Sequence, residues 1–126
     1  MSKRILVAED DPSILLSLEF LLKSRGHQVT AVANGEAAWR ALAQDPPDLA
    51  LLDVMLPALD GLEICRRMRA HDAFRDTRVL MLSARGRESE VQAGLMRGAD
   101  AYMTKPFGSR ELLAEVARLL GDEVGN

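Results

Sequence analysis

The stretch LLDVMLP, residues 51–57, places one acidic side chain directly after a run of apolar residues and four positions before a proline. An apolar run of this kind predicts a strand that is buried on both faces of a sheet. A carboxylate at the end of a buried strand is ordinary when it stands alone. Asp53 gains a functional interpretation only if other charged side chains converge on the same end of the same sheet.

Short apolar runs alternate along the chain with longer amphipathic stretches. The runs are RILVA (4–8), QVTAV (28–32), LALLD (49–53), VLMLS (79–83) and AYMT (101–104). The stretches between them are long enough for helices, and successive β–α units with apolar strands predict a parallel sheet because right-handed crossovers cover both of its faces. We therefore predict an α/β fold with a five-stranded parallel sheet, doubly wound, with helices on both faces.

Helix-capping residues predict where these helices begin. Asp11 is placed as the N-cap of a first helix, Pro12 to Arg25, with the proline at its first position. Asp60 begins a third helix, in which it can form a capping box with Glu63. The other helices are predicted over about 35–43, over about 86–97, and along a final stripe of Leu112, Leu113, Val116, Leu119 and Leu120.

Length and composition bound the class of protein. With 126 residues, 48% of them hydrophobic, and no linker or internal repeat, residues 1–126 are predicted to form one domain. No apolar stretch reaches the roughly 18 residues that span a bilayer, so we expect a cytoplasmic protein without a membrane partner. A net charge of −3 argues against direct binding to nucleic acid. The one cysteine, Cys65, excludes an internal disulfide and a multi-thiolate metal site.

Polar side chains follow four of the five predicted strands. They are the acids Glu9, Asp10 and Asp11 after the first strand, Asp53 at the end of the third, Ser83 at the end of the fourth and Lys105 after the fifth. Ligands of open α/β sheets bind at the carboxyl ends of the strands, where the strand order reverses. These side chains are therefore predicted to point at one rim of the sheet.

Carboxylates packed this closely raise the pKa of at least one of them unless a cation enters. Carboxylate oxygens suit a hard divalent ion, and Mg²⁺ (or Mn²⁺) keeps open positions for water and phosphate oxygens. Such an ion beside an ionised aspartate is chemistry for phosphoryl transfer. Asp53 would attack in line to form an aspartyl phosphate, while the ion and Lys105 neutralise the phosphoryl oxygens and Ser83 donates a hydrogen bond.

Four segments carry a resemblance to a known family: ILVAEDDP, LLDVMLPALDG, MLSARG and GADAYMTKPF. In this order and at these separations they resemble the receiver domain of two-component response regulators, a flavodoxin-like fold, from about Lys3 to Leu120. The resemblance implies Asp53 as the phosphoacceptor. It implies a metal site formed by Asp10 directly, Glu9 through water, Asp53, and the main-chain carbonyl of Met55.

The resemblance also implies a switch and its partners. A sensor histidine kinase or histidine phosphotransfer protein would supply the phosphoryl group, which Lys105 binds and which draws the switch hydroxyl of Ser83 inward. The switch aromatic Tyr102 then rotates and reshapes the face of the fourth helix, fifth strand and fifth helix for a downstream signalling protein. The resemblance further implies a cis Lys105–Pro106 bond. It also implies a regulator and not an enzyme, with slow self-dephosphorylation as its only activity.

Three positions depart from the charge pattern by which receivers of winged-helix DNA-binding regulators pair. Val91 and Glu115 stand where that branch has basic residues, and Ala101 stands where it has an acid. Rim ion pairs of this kind set partner choice more than affinity. We therefore expect a monomer or weak dimer that uses this face for another partner.

No effector domain follows the fifth helix, so we expect a stand-alone receiver or one cut from a longer chain.

Two other functions share some of these features with the receiver. A phosphatase of the haloacid-dehalogenase type also uses an aspartate nucleophile and Mg²⁺, but it would place the nucleophile on the first strand in a D-x-D arrangement with a cap insertion. Here Glu9 stands at the first of those positions, and no cap insertion is present. A phosphorylation-independent binding module would lack one of the acids, the hydroxyl or the lysine, and this sequence retains them all.

Overall fold

The computed structural model of the chain describes residues 3–84, 89, 92 and 98–121. Its sheet has five parallel strands in the order β2-β1-β3-β4-β5, as predicted for a doubly wound fold. The strands are β1 (Arg4–Ala8), β2 (Gln28–Val32), β3 (Leu49–Asp53), β4 (Arg78–Ala84) and β5 (Ala101–Lys105). The last two are slightly longer than predicted, because their ladder continues to the pair Ala84 and Lys105.

Helices pack on both faces of this sheet. They are α1 (Pro12–Ser24), α2 (Gly35–Gln44), α3 (Gly61–Arg69) and the C-terminal helix (Ser109–Leu120), with a short 3₁₀ turn at Asp72–Phe74. The predicted fourth helix, 86–97, lies outside the described residues except for Ser89 and Gln92, which are both helical, and Val91 also lies outside them. Among the described residues, no helix is long and apolar enough to cross a membrane.

The predicted N-caps form where polar side chains precede α1 and α3. The Asp11 carboxylate accepts hydrogen bonds from the backbone N–H groups of the first turn of α1. The Asp60 carboxylate accepts one from the backbone N–H of Glu63 at 2.8 Å. The Glu63 carboxylate pairs along the helix with Arg66 and Arg67, which hold its pKa at about 2.

Alternate side chains of the strands enter two separate cores. In β3, Leu49 and Leu51 pack with α1 and the C-terminal helix, whereas Ala50 and Leu52 pack with α2 and α3. All five residues of β3 are buried. Each fully buried leucine contributes about 1.5–3 kcal/mol relative to an exposed one. These two cores fix β3, and with it the position of Asp53.

The strand order reverses between β1 and β3. The chain leaves β1 toward β2 on one side and leaves β3 toward β4 on the other, so the carboxyl ends of β1 and β3 flank a crevice. Glu9 directly follows β1, and Asp53 is the last residue of β3. Both side chains therefore lie at the reversal point that the sequence predicts.

Candidate functional site

The ammonium group of Lys105 joins two of the predicted site residues. Its Nζ lies 2.9 Å from Glu9 Oε1 and 2.9 Å from Asp53 Oδ2. Burial lowers the pKa of Lys105, but the hydrogen bonds to Glu9 and Asp53 outweigh this effect, so that its pKa is raised. The lysine at the end of β5 therefore stays charged and holds the ends of β1 and β3 together.

The Asp53 carboxylate is buried and is held on both oxygens. Lys105 contacts Oδ2, and the backbone N–H of Met55 donates to Oδ1 at 3.1 Å. The next residue continues the sheet, because Val54 donates its backbone N–H to Leu82 of β4 at 2.9 Å. Asp53 is thus fixed in orientation by the loop that follows it as well as by its strand. Met55, predicted to offer a main-chain carbonyl to a metal, has its backbone at this carboxylate.

Glu9 is the most deeply buried of the acids, with 0% of its surface exposed. Its Oε2 accepts a hydrogen bond from the backbone N–H of Asp11 at 3.0 Å. Burial raises the pKa of Glu9, and the negative charge of Asp53 adds to the rise, while the hydrogen bonds from Asp11 and Lys105 oppose it. The ionised form of Glu9 is therefore destabilised when no cation is bound.

A cluster of carboxylate oxygens lies at this rim. One oxygen each from Glu9, Asp10 and Asp53 lies within 4.8 Å of the other two, and Asp10 is exposed to solvent. Oxygens on opposite sides of a Mg²⁺ ion are about 4.2 Å apart, because each lies about 2.1 Å from the metal. Three carboxylates and one ammonium leave a formal charge of −2. The donor set, its spacing and its charge all fit one hard divalent cation.

Ser83 and Tyr102 lie on the neighbouring strands β4 and β5 and differ in exposure. Ser83, on β4, is buried, and its hydroxyl donates a hydrogen bond to the carbonyl of Ala84 at 3.2 Å. Tyr102, on the edge strand β5, has 44% of its surface exposed. The Lys105–Pro106 peptide bond is cis, as the resemblance implied.

Sequence reasoning missed the backbone groups that orient the acids. The N–H groups of Met55 and Asp11 hold Asp53 and Glu9, and neither could be assigned from residue types alone. One pattern in the sequence does indicate a constraint near Asp53. Asn34-Gly35 and Asp60-Gly61 each place a glycine just after an N-cap, a position where a side chain is normally tolerated. Both glycines lie against the segment that follows Asp53.

Comparison with known proteins agrees with this arrangement. The family model for the response regulator receiver domain matches residues 5–117. The chain is 42% identical over 120 residues to the alkaline phosphatase synthesis transcriptional regulatory protein PhoP of Bacillus subtilis, covering 95% of this chain and 49% of that protein. It is 46% identical over 120 residues to the response regulator MprA of Mycobacterium ulcerans, covering 95% and 51%. The chain thus spans about half the length of these relatives.

Solved structures give the same result. A putative response regulator from Chloroflexus aurantiacus superposes with a TM-score of 0.90 at 35% identity, covering 96% of this chain and 99% of that one. The receiver domain of the sensor histidine kinase PA1611 from Pseudomonas aeruginosa, which has a magnesium ion coordinated in its active site cleft, superposes with a TM-score of 0.87 at 33% identity, covering 97% and 100%. The chain therefore belongs to the receiver domains of two-component response regulators, the phosphoacceptor switches that partner with sensor histidine kinases.

Proposed function

We propose that Asp53 is the residue that accepts the phosphoryl group. One observation supports this most strongly: Asp53 is a buried carboxylate at the reversal point of the sheet, and its Oδ2 lies 2.9 Å from the ammonium group of Lys105. A carboxylate can act as the nucleophile in phosphoryl transfer, and a cation at this distance supplies positive charge for the arriving phosphoryl oxygens. Asp10 and Asp11 lack this combination because both are exposed, and Glu9 is less suited because its pKa is raised by burial.

The transfer exchanges one bond to phosphorus for another. The P–N bond of a phosphohistidine breaks as a P–O bond to a carboxylate oxygen of Asp53 forms, and the leaving imidazole nitrogen keeps the electron pair of the broken bond. Lys105 contributes a fixed positive charge beside the position where the phosphoryl oxygens arrive. Because the lysine is already held by Glu9 at 2.9 Å, little reorganisation is needed to place that charge.

A divalent cation, Mg²⁺ or Mn²⁺, belongs to this proposal. Glu9, Asp10, Asp53 and the main-chain carbonyl of Met55 would hold it, with Asp10 a direct ligand and Glu9 acting through water. The bound ion would supply positive charge for the phosphoryl oxygens. The chain's own contribution is to pre-arrange the acids within 4.8 Å and to bury Glu9 and Asp53 so that their charges act at low dielectric.

Phosphorylation is proposed to act on Ser83 and Tyr102. The Ser83 hydroxyl makes a 3.2 Å bond to the adjacent Ala84 carbonyl, a long bond for a hydroxyl, and it would exchange this bond for one to a phosphoryl oxygen. Tyr102, partly exposed on β5, would then move inward. Because the two arrangements differ in their contacts with the phosphoryl group, phosphorylation shifts the population toward the second.

The output face is proposed to bind a downstream signalling protein. Ala101 is buried with the core that includes the C-terminal helix, and Glu115 makes an ion pair with Arg118 of its own helix at 2.8 Å. Neither residue is available for the charge pairing expected of winged-helix regulators, which supports a monomer or weak dimer.

We propose residues 1–126 as one cytoplasmic receiver domain that is a substrate of its kinase and not a turnover enzyme. Its net charge of −3 favours a protein partner over nucleic acid.

Asp53→Asn should abolish labelling by acetyl phosphate in the presence of Mg²⁺, because an amide is not a nucleophile. The measurement is incorporation of hydroxylamine-labile phosphate over time. Asp76→Asn is the matched control: Asp76 is exposed and lies outside both the acidic site and the segment that follows Asp53, so labelling should continue at the parent rate. Labelling of the Asp53 variant as fast as the parent would exclude Asp53 as the acceptor.

Asp10→Asn should weaken Mg²⁺ binding more than Asp11→Asn does. The first change removes a proposed direct ligand, whereas the second replaces a helix cap by an equivalent one. Isothermal titration calorimetry of the parent and both variants measures the Kd for Mg²⁺. We expect the Kd of Asp10→Asn to exceed that of Asp11→Asn by at least about tenfold, because a loss of about 1.4 kcal/mol in binding free energy raises Kd tenfold. Equal losses in both variants would contradict the ligand assignment.

Metal-free Glu9→Gln should gain stability relative to the parent as the pH rises from 4.5 to 8. The pKa of Glu9 is raised in the folded protein, so stability is lost as pH rises from 4.5 through the folded pKa, and a neutral amide avoids this loss. Denaturant unfolding in EDTA measures it, with the exposed Glu111→Gln as control. Added Mg²⁺ should stabilise the parent more than the variant. A variant that loses stability relative to the parent as pH rises would refute this interpretation of Glu9.

A further inference from the structure

We propose that Gly35, at the start of α2, is a positioning residue for phosphoryl transfer at Asp53. It acts through the acceptor loop, which we define as residues 54–60. The inference rests on the proposed function of Asp53, but it concerns a helix outside the acidic site. Only a glycine at position 35 lets the acceptor loop take the conformation that orients Asp53.

Gly35 contacts the backbone of the acceptor loop. Its N–H donates a hydrogen bond to the carbonyl oxygen of Pro57 at 3.0 Å. A Cβ atom built at Gly35 would overlap the carbonyl oxygen of Leu59 and would lie 2.5 Å from its carbonyl carbon and 2.7 Å from its Cβ. These are atoms of the backbone and its first side-chain carbon, which no rotamer change can move away. Any side chain at position 35 therefore displaces the loop or α2.

The two loop residues that Gly35 contacts flank a residue in an unusual conformation. Ala58 has φ of 72°, in the left-handed region that non-glycine residues rarely adopt. Leu59 closes this turn by donating its backbone N–H to the Pro57 carbonyl at 2.8 Å. Such a conformation persists only when its surroundings hold it. The same Pro57 carbonyl accepts from Gly35, so α2 holds the turn from outside.

The turn is connected to Asp53 over a short distance. Pro57 lies two residues after Met55, whose N–H holds Asp53 Oδ1 at 3.1 Å. The far end of the loop is fixed by Gly61, which donates its N–H to the Val54 carbonyl at 3.1 Å and whose added Cβ would overlap the Asp53 carbonyl oxygen. With both ends fixed, a displacement at the turn is taken up around Met55. The Asp53 carboxylate is the group that this displacement misorients.

Gly35→Ala tests the inference by two independent readings. Labelling by acetyl phosphate should slow by about tenfold to a hundredfold, the range expected for a reacting group misplaced by about 1 Å. Mg²⁺ affinity, measured by calorimetry, should fall as well, because Met55 and Asp53 are proposed ligands. The matched control is Ala43→Gly, which weakens the same helix at an exposed position near its C-terminal end. Parent-like rate and affinity in Gly35→Ala, or an equal loss in Ala43→Gly, would overturn the inference.

Ala58→Gly tests the loop from its other side and does not depend on Gly35→Ala folding. Glycine adopts positive φ without steric cost, so the unfolding midpoint should stay unchanged or rise. The freed turn should nevertheless lower the Mg²⁺ affinity and the labelling rate. Unchanged affinity and rate would count against the inference. If the parent itself takes no phosphoryl group, the proposed function fails, and the calorimetry of the variants still decides whether the loop positions the acids.

Discussion

The ammonium group of Lys105, 2.9 Å from Glu9 and 2.9 Å from Asp53, is the interaction on which the rest of the site depends. It links the carboxyl ends of β1, β3 and β5, elements that are far apart in the chain. Two buried carboxylates without this cation would repel each other, and breaking a buried ion pair by removing one partner typically costs about 3–5 kcal/mol. The same charge that keeps the strand ends together also lies beside the position that the phosphoryl oxygens are proposed to take.

The sheet makes this contact possible because its register is fixed from both faces. Successive side chains of β3 enter the two cores alternately, so a slip of one residue would turn each of them toward the wrong helices. That constraint sets Asp53 opposite Leu82 and sets Lys105 opposite Ala84 at the rim. Rigid strands therefore fix the charged groups. Ser83 and Tyr102, which are proposed to change position on phosphorylation, lie on β4 and β5 at one side of the sheet.

The convergence of Glu9, Asp10, Asp53 and Lys105 could be predicted from the sequence, since parallel strands bring their carboxyl ends to one rim. The bounds of the five strands, α1 and α2 were predicted to within one residue, because apolar periodicity, N-caps and glycines mark them. The C-terminal helix begins at Ser109, three residues before the predicted apolar stripe, and the 3₁₀ turn Asp72–Phe74 was not predicted. The direct bonds of Lys105 to the two acids were not predicted: the sequence suggested phosphate oxygens as its partners, and without phosphate the nearest anions are the carboxylates. The contact of Gly35 with Leu59 depends on how two loops cross, which no local pattern encodes.

The proposed switch requires that the phosphoryl group resides on one carboxylate, Asp53. Phosphorylating the unsubstituted protein with acetyl phosphate and Mg²⁺ and then reducing it with borohydride converts an aspartyl phosphate to homoserine, whose position peptide mass spectrometry can identify. We predict homoserine at position 53 and unmodified aspartate at positions 10 and 11. Homoserine at either of those positions, or at another acid with residue 53 unmodified, would contradict it.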